Sequence, residues 1–152
     1  MAVLPADLSQ FLDSVVAIVV ATSDEHLKPE VTRGWGMRVL EDGATVCVSI
    51  DRLRSQQTLE NLRRHDKIAL ACIRPDYVAR QFKGRCLQIT EAEAEDIARI
   101  EHHHKLYIDT GAEFEVPEAI VRHHWSSDVV TLRCRIDEVF DQTPGPAAGS
   151  VL

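Results

Sequence analysis

Two strand-like runs, Pro29 to Leu40 and Thr45 to Ile50, have the acidic link Glu41-Asp42-Gly43 between them. An Asp-Gly step suits the positive φ angles of a tight turn, so the runs fold back on each other as an antiparallel hairpin. The second run alternates. Val46, Val48 and Ile50 face one way, and Cys47 and Ser49 face the other. A chain that contains such a hairpin early needs further strands to cover its apolar face.

Those strands are present. Val15 to Ala21 is rich in β-branched residues and reads as a buried strand. Lys67 to Ile73 and Tyr77 to Thr90 are strands joined by the turn Arg74-Pro75-Asp76, with a break or bulge expected near Gly84. Val129 to Val139 alternates and forms the last strand. Helices are expected over Pro5 to Leu12, with Leu8, Phe11 and Leu12 on one face, and over Ser55 to Arg64, with Leu59 and Leu62 as the apolar stripe. Thr90-Glu91-Ala92-Glu93 reads as a capping box opening a helix through about Tyr107, with Ile97 and Ile100 inward. Glu118 to Trp125 is a second short helix. Strands grouped in hairpins, not alternating with helices, imply an antiparallel sheet. About six of them in one domain imply a closed or partly closed barrel, which removes exposed edges. The expected fold is mainly β with α: a six-stranded antiparallel barrel with flanking helices over residues 1–142. A flexible tail is expected at 143–152, rich in Pro, Gly, Ala and Ser.

Composition excludes several function classes. The net charge of −7 argues against a general nucleic-acid binder, which needs a positive face. It leaves room for a local basic pocket. The longest apolar run, Val15 to Ala21, is too short to cross a bilayer. No basic region precedes an apolar core at the N-terminus, so a cytoplasmic location is expected. None of Cys47, Cys72, Cys86 and Cys134 forms a C-x-x-C pair, and each reads as a small buried hydrophobe. His102-His103-His104 and His123-His124 lack the spacing of three or four residues that helical metal ligands need, so no metal is expected.

Three segments could carry chemistry. Arg33 precedes Gly34-Trp35-Gly36. Two glycines inside a strand are costly, and either a close-lying ligand or bulges that bend the strand would explain them. Ser49 through Gln56 (S-I-D-R-L-R-S-Q) leaves a strand and enters a helix. Unpaired N–H groups at the helix start, with Arg52, Arg54 and Ser55, make either a phosphate cradle or a solvated, Ser-capped turn. In Arg80 to Arg85, Gln81, Lys83 and Arg85 share one strand face, either a polar site or an exposed barrel wall. No nucleophile–base pair stands out, so an organic cofactor would carry any reaction.

In this order, the stretch from Val15 to Ile89 resembles the pyridoxamine 5′-phosphate oxidase-like, FMN-binding split-barrel proteins. The resemblance rests on the apolar first strand and on the Pro opening the second strand at Lys28-Pro29-Glu30-Val31. It continues through the Arg in that strand, the acidic-Gly hairpin, the strand ending Val48-Ser49 and the basic turn into a helix. It implies FMN as cofactor, bound between the subunits of a homodimer, and oxidoreductase activity on a small molecule. By the same resemblance, Arg33, Gly34, Trp35 and Gly36 would line the ring, and Val48 and Ser49 would flank it. The phosphate turn would fall on Leu53-Arg54-Ser55, where only the Arg of the family's Ser-Arg-Lys is kept, with Gln56 beside it. Gln81 would contact the flavin, and Trp125 would supply a C-terminal aromatic. The tail from Thr143 carries no basic residue, unlike the substrate-phosphate segment of the oxidases themselves. Alternatives of the same fold are a deazaflavin-dependent reductase and a non-catalytic flavin- or haem-binding protein using His102 to His104.

Overall fold

A computed structural model describes residues 4–5 and 7–152. Its elements, in chain order, are α1 (Leu8–Asp13), β1 (Ala17–Ser23), β2 (Pro29–Val39), β3 (Thr45–Asp51), α2 (Gln56–Arg64), β4 (Lys67–Ile73), β5 (Ala79–Glu91), α3 (Ala94–Glu113), α4 (Glu118–Arg122) and β6 (Val129–Asp141). The six strands close into an antiparallel barrel in the order β1-β2-β3-β6-β5-β4. The Pro29–Val39 and Thr45–Asp51 hairpin forms as the Asp-Gly signal requires, with Gly43 at φ 63° and Asp42 accepting from the Ala44 and Thr45 amides.

Alternation decides what fills the barrel. Ile18, Val20, Val46, Val48, Ile50, Leu70, Cys72, Phe82, Leu132, Cys134 and Ile136 point inward and are fully buried. Helix α1 adds Leu8, Phe11 and Leu12 to this core at one end of the barrel, and α2 adds Leu59 and Leu62 at the other. Asn61 of α2 is tied to the wall by donating to Thr22 Oγ1 at 3.0 Å. The bulge expected near Gly84 is present as a register shift between Lys83 and Gly84. Only glycine fits there, because a Cβ at Gly84 would lie 2.0 Å from the carbonyl oxygen of Arg135 on β6.

Two features differ from the sequence reading. The capping box of α3 pairs Glu93 with Asp96 instead of opening at Thr90, because β5 keeps pairing with β6 through Glu91. On α3, Asp96, Ile100 and His103 face the barrel, while Ile97, expected inward, is 37% exposed. The tail from Thr143 folds back: Gly149 N–H donates to Asp141 O, Leu152 N–H donates to Val139 O, and Val151 bridges Phe140. No helix among the described residues is long and apolar enough to cross a membrane.

Candidate functional site

Strand β2 carries the site, and helix α3 divides it. From Trp35 onward the outward face is covered. Trp35 is 5% exposed and meets the edges of His103, His104 and Tyr107, with ring centroids 5.1–6.0 Å away. Gly36 has φ 60°, and a Cβ there would sit 3.0 Å from the Ile100 amide nitrogen of α3. A Cβ at Gly34 would sit 2.6 Å from Ile18 Cγ2 inside the barrel. Both glycines therefore answer to the protein's own packing, one to a helix backbone and one to the core.

His103 locks this cover in place. Its Nδ1 accepts from the Gly36 N–H at 3.0 Å, which leaves Nε2–H to donate to Val16 O at 2.8 Å. Burial lowers its pKa to about 4, so the ring is neutral at pH 7. Tyr107, one turn on, donates to the same Val16 carbonyl at 2.9 Å. Burial raises its phenol pKa, against a smaller opposing effect of Arg33.

The half of β2 before Trp35 is uncovered. Arg33 is exposed, donates to Tyr107 Oη at 2.9 Å and lies over the Trp35 and Tyr107 rings at 5.3 and 5.5 Å. Next to it, Thr32 Oγ1 shares a 2.7 Å hydrogen bond with Ser55 Oγ at the N-cap of α2. Beyond Ser55 is Arg54, exposed, its guanidinium 3.5 Å from the His124 carbonyl. Two arginines thus bracket a hydroxyl pair at a helix start. Among the described residues, Arg33, Arg54 and Arg133 are the arginines with no carboxylate within ion-pair distance. Arg52, by contrast, is held by Asp128 and Glu91.

An apolar groove of about 370 Å³ runs from Arg33 and Tyr107 past Val15, Ala17, Ile73 and Phe114. The outward row Arg33–Val19–Ala71–Gln81 crosses the neighbouring strands in direct register. Gln81 accepts from Gln142 at 3.4 Å.

The remaining residues singled out from sequence have the following surroundings. Val48 is sealed in the core. Ser49 is buried and bonds Thr131 Oγ1 at 3.0 Å, which in turn donates to Asp96. Gln56 is exposed on the first turn of α2. Trp125 stacks on His104 of its own chain, with centroids 3.8 Å apart and planes 5° apart. Thr32 and Tyr107 were not anticipated, and His103, expected only within a haem-binding alternative, instead locks α3 to β2. The run Asp96, Ile100, His103, Tyr107, spaced as one helical face, was the signal that could have found the last two.

The family described as pyridoxamine 5′-phosphate oxidase matches residues 4–143. The chain belongs to that family. Solved structures with the same fold include HupZ of Group A Streptococcus, 17% identical, with 96% of this chain and 99% of that one covered at a TM-score of 0.58. The heme storage protein HutZ from Vibrio cholerae is 14% identical, with 92% and 95% covered at 0.53. An FMN-binding protein from Syntrophomonas wolfei is 11% identical, with 87% and 81% covered at 0.52. No curated protein matches the chain in sequence.

Proposed function

We propose that this member of the pyridoxamine 5′-phosphate oxidase family binds FMN and acts as an oxidoreductase on a small molecule. The observation that carries the reading is the pair of unpaired arginines, Arg33 and Arg54, on either side of the Thr32–Ser55 hydroxyl pair. In a chain of net charge −7, leaving two cations without acids beside a helix start favours an anionic ligand. The donor set suits a phosphate monoester. Arg54 supplies a charge-assisted contact, Ser55 and Thr32 supply hydroxyls, and the first-turn amides of α2 have no intrahelical partner.

Arg33 and Tyr107 would stand beside the ring, and the apolar groove next to them has the size and character of a small-molecule site. Tyr107 can offer no acidic proton near neutral pH, because its phenol pKa is raised and its hydrogen already goes to Val16 O. Arg33 is the group able to stabilise negative charge developing there. The flavin, when bound, supplies the electron-transfer chemistry, and the chain supplies anchoring and orientation. The outward apolar face of β1, β2 and β4, with Val31 61% and Ile73 45% exposed, is where a second copy would pack in the proposed homodimer.

The test is titration of the purified protein with FMN and with haemin. Quenching of flavin fluorescence that saturates with one FMN per chain is expected. A colourless protein that leaves FMN fluorescence unchanged would overturn the reading. A Soret band with haemin alone would favour the second reading, in which His104 is the candidate ligand. Burial lowers its pKa to about 4, and its Nε2 has no hydrogen-bond partner among the described residues.

A further inference from the structure

The flavin reading uses none of the four cysteines, yet two of them are placed together. Cys86 on β5 and Cys134 on β6 are directly opposed in the antiparallel ladder. Opposed residues point to the same face of the sheet, with Cα atoms about 4.5–5.5 Å apart, inside the span that a disulfide bridges. The Cys86 amide donates to Asp66 O on the β4 side at 2.7 Å. Towards β6 the pair is therefore the non-hydrogen-bonded kind, in which side chains come closest.

The two thiols differ in access. Cys134 is fully buried in the barrel core. Cys86 is partly exposed and lines a groove of about 500 Å³ beneath α2, shared with Leu59, Leu62 and Arg63. Both sulfurs are free thiols. The Cys86 thiol donates to Gln88 O at 3.5 Å. The neighbouring Cys134 thiol is the main influence holding the Cys86 thiol below its ordinary pKa, and proximity to Cys86 together with burial raises that of Cys134. An accessible thiol that ionises first, backed by a second within reach, is the arrangement of redox-reactive cysteines.

We propose that Cys86 and Cys134 form a peroxide-oxidisable dithiol that closes to a disulfide between β5 and β6. The Cys86 thiolate attacks one oxygen of hydrogen peroxide and the O–O bond breaks. The departing hydroxide takes the proton that Cys86 released and leaves as water, and Cys86 becomes a sulfenic acid. The Cys134 sulfur then attacks the Cys86 sulfur and the S–O bond breaks. The leaving hydroxide takes the Cys134 proton as a second water. Two thiols lose two electrons, and one peroxide gains them.

The test exposes the reduced, folded protein to hydrogen peroxide, then denatures it in iodoacetamide and maps the digested peptides by mass. The expected product joins the Cys86 and Cys134 peptides with loss of two hydrogens and is reversed by dithiothreitol, while Cys47 and Cys72 remain alkylated. Full alkylation of Cys86 and Cys134 after peroxide, or a Cys86 sulfinic acid with no linked peptide, would overturn the proposal. In Cys134→Ser the sulfenic acid on Cys86 should persist and be trapped by dimedone. Should that variant fail to fold, Cys86→Ser, at a partly exposed position, gives the complementary reading. It should leave Cys134 reduced at the same peroxide dose, and oxidation of Cys134 there would also overturn the pairing.

Discussion

The two halves of strand β2 adjoin in one unbroken run and behave differently. The half running Trp35-Gly36-Met37 is covered from within the chain. Helix α3 covers Trp35, His103 takes the Gly36 amide, and Arg99 donates to the Met37 carbonyl. In the half running Val31-Thr32-Arg33, Val31 is 61% exposed and Arg33 meets no carboxylate among the described residues. The strand teaches that a glycine and an arginine in one motif can serve opposite ends. The glycines let the protein close on itself, while the arginine meets no carboxylate among the described residues and is assigned to a ligand in the function we propose.

The sharpest break of this contrast is Gly36→Ala. A methyl group at φ 60°, pressed 3.0 Å from the Ile100 amide, must strain the strand or push α3 away. A loss of about 2–4 kcal/mol is expected in urea denaturation. A change within about 0.5 kcal/mol would mean that α3 is not held against β2 in solution.

Acid should loosen the same half. The folded pKa of His103 is depressed to about 4 from an ordinary 6.5. Above pH 6.5 the ring is neutral in both states and stability is unaffected. As pH falls from 6.5 towards 4 the unfolded chain takes a proton that the folded chain refuses, so stability drops, by about 3 kcal/mol at most. His104, also lowered to about 4, acts in the same direction. His103→Gln should flatten the denaturation midpoint against pH over that window. An unchanged slope would remove His103 from the account.

The open half predicts the reverse pattern. Arg54→Ala should cost about 1.5–3 kcal/mol of FMN affinity while moving apo stability by under about 0.5 kcal/mol. The guanidinium makes only the long 3.5 Å contact to His124 O, so little of the fold depends on it. Equal losses in stability and affinity would show that Arg54 belongs to the closed, self-satisfied part of the molecule.

How much of this could be read beforehand follows the range of each interaction. Lys67–Ile73 was legible to the residue, because its alternation is local and Arg74-Pro75 ends it. The phase of α3 was not. Thr90 and Glu93 can both start a capping box, and only the pairing of β5 with β6 through Glu91 chooses between them. The site divides in the same way. Arg33 and Arg54 are visible as cations in an acidic chain, and Ser55 as a helix cap. Gly36 was ambiguous between ligand and packing because its partner, Ile100, lies on a helix far along the chain. Tyr107, and the structural role of His103, entered only once the helix face packed on β2 was known.

The smallest expected effect asks whether Arg33 is anchored or waiting. Its contacts are one hydrogen bond to Tyr107 and two ring faces, all at an exposed position. Exposed cation–π contacts contribute about 0.5–1 kcal/mol, and the Tyr107 hydroxyl keeps its bond to Val16 O without Arg33. Arg33→Ala should therefore lower apo stability by no more than about 1 kcal/mol, and the same substitution should weaken FMN in a salt-sensitive way. Full salt sensitivity of FMN binding in Arg33→Ala would place the ring away from this arginine and leave the phosphate turn at Arg54 as the whole electrostatic site.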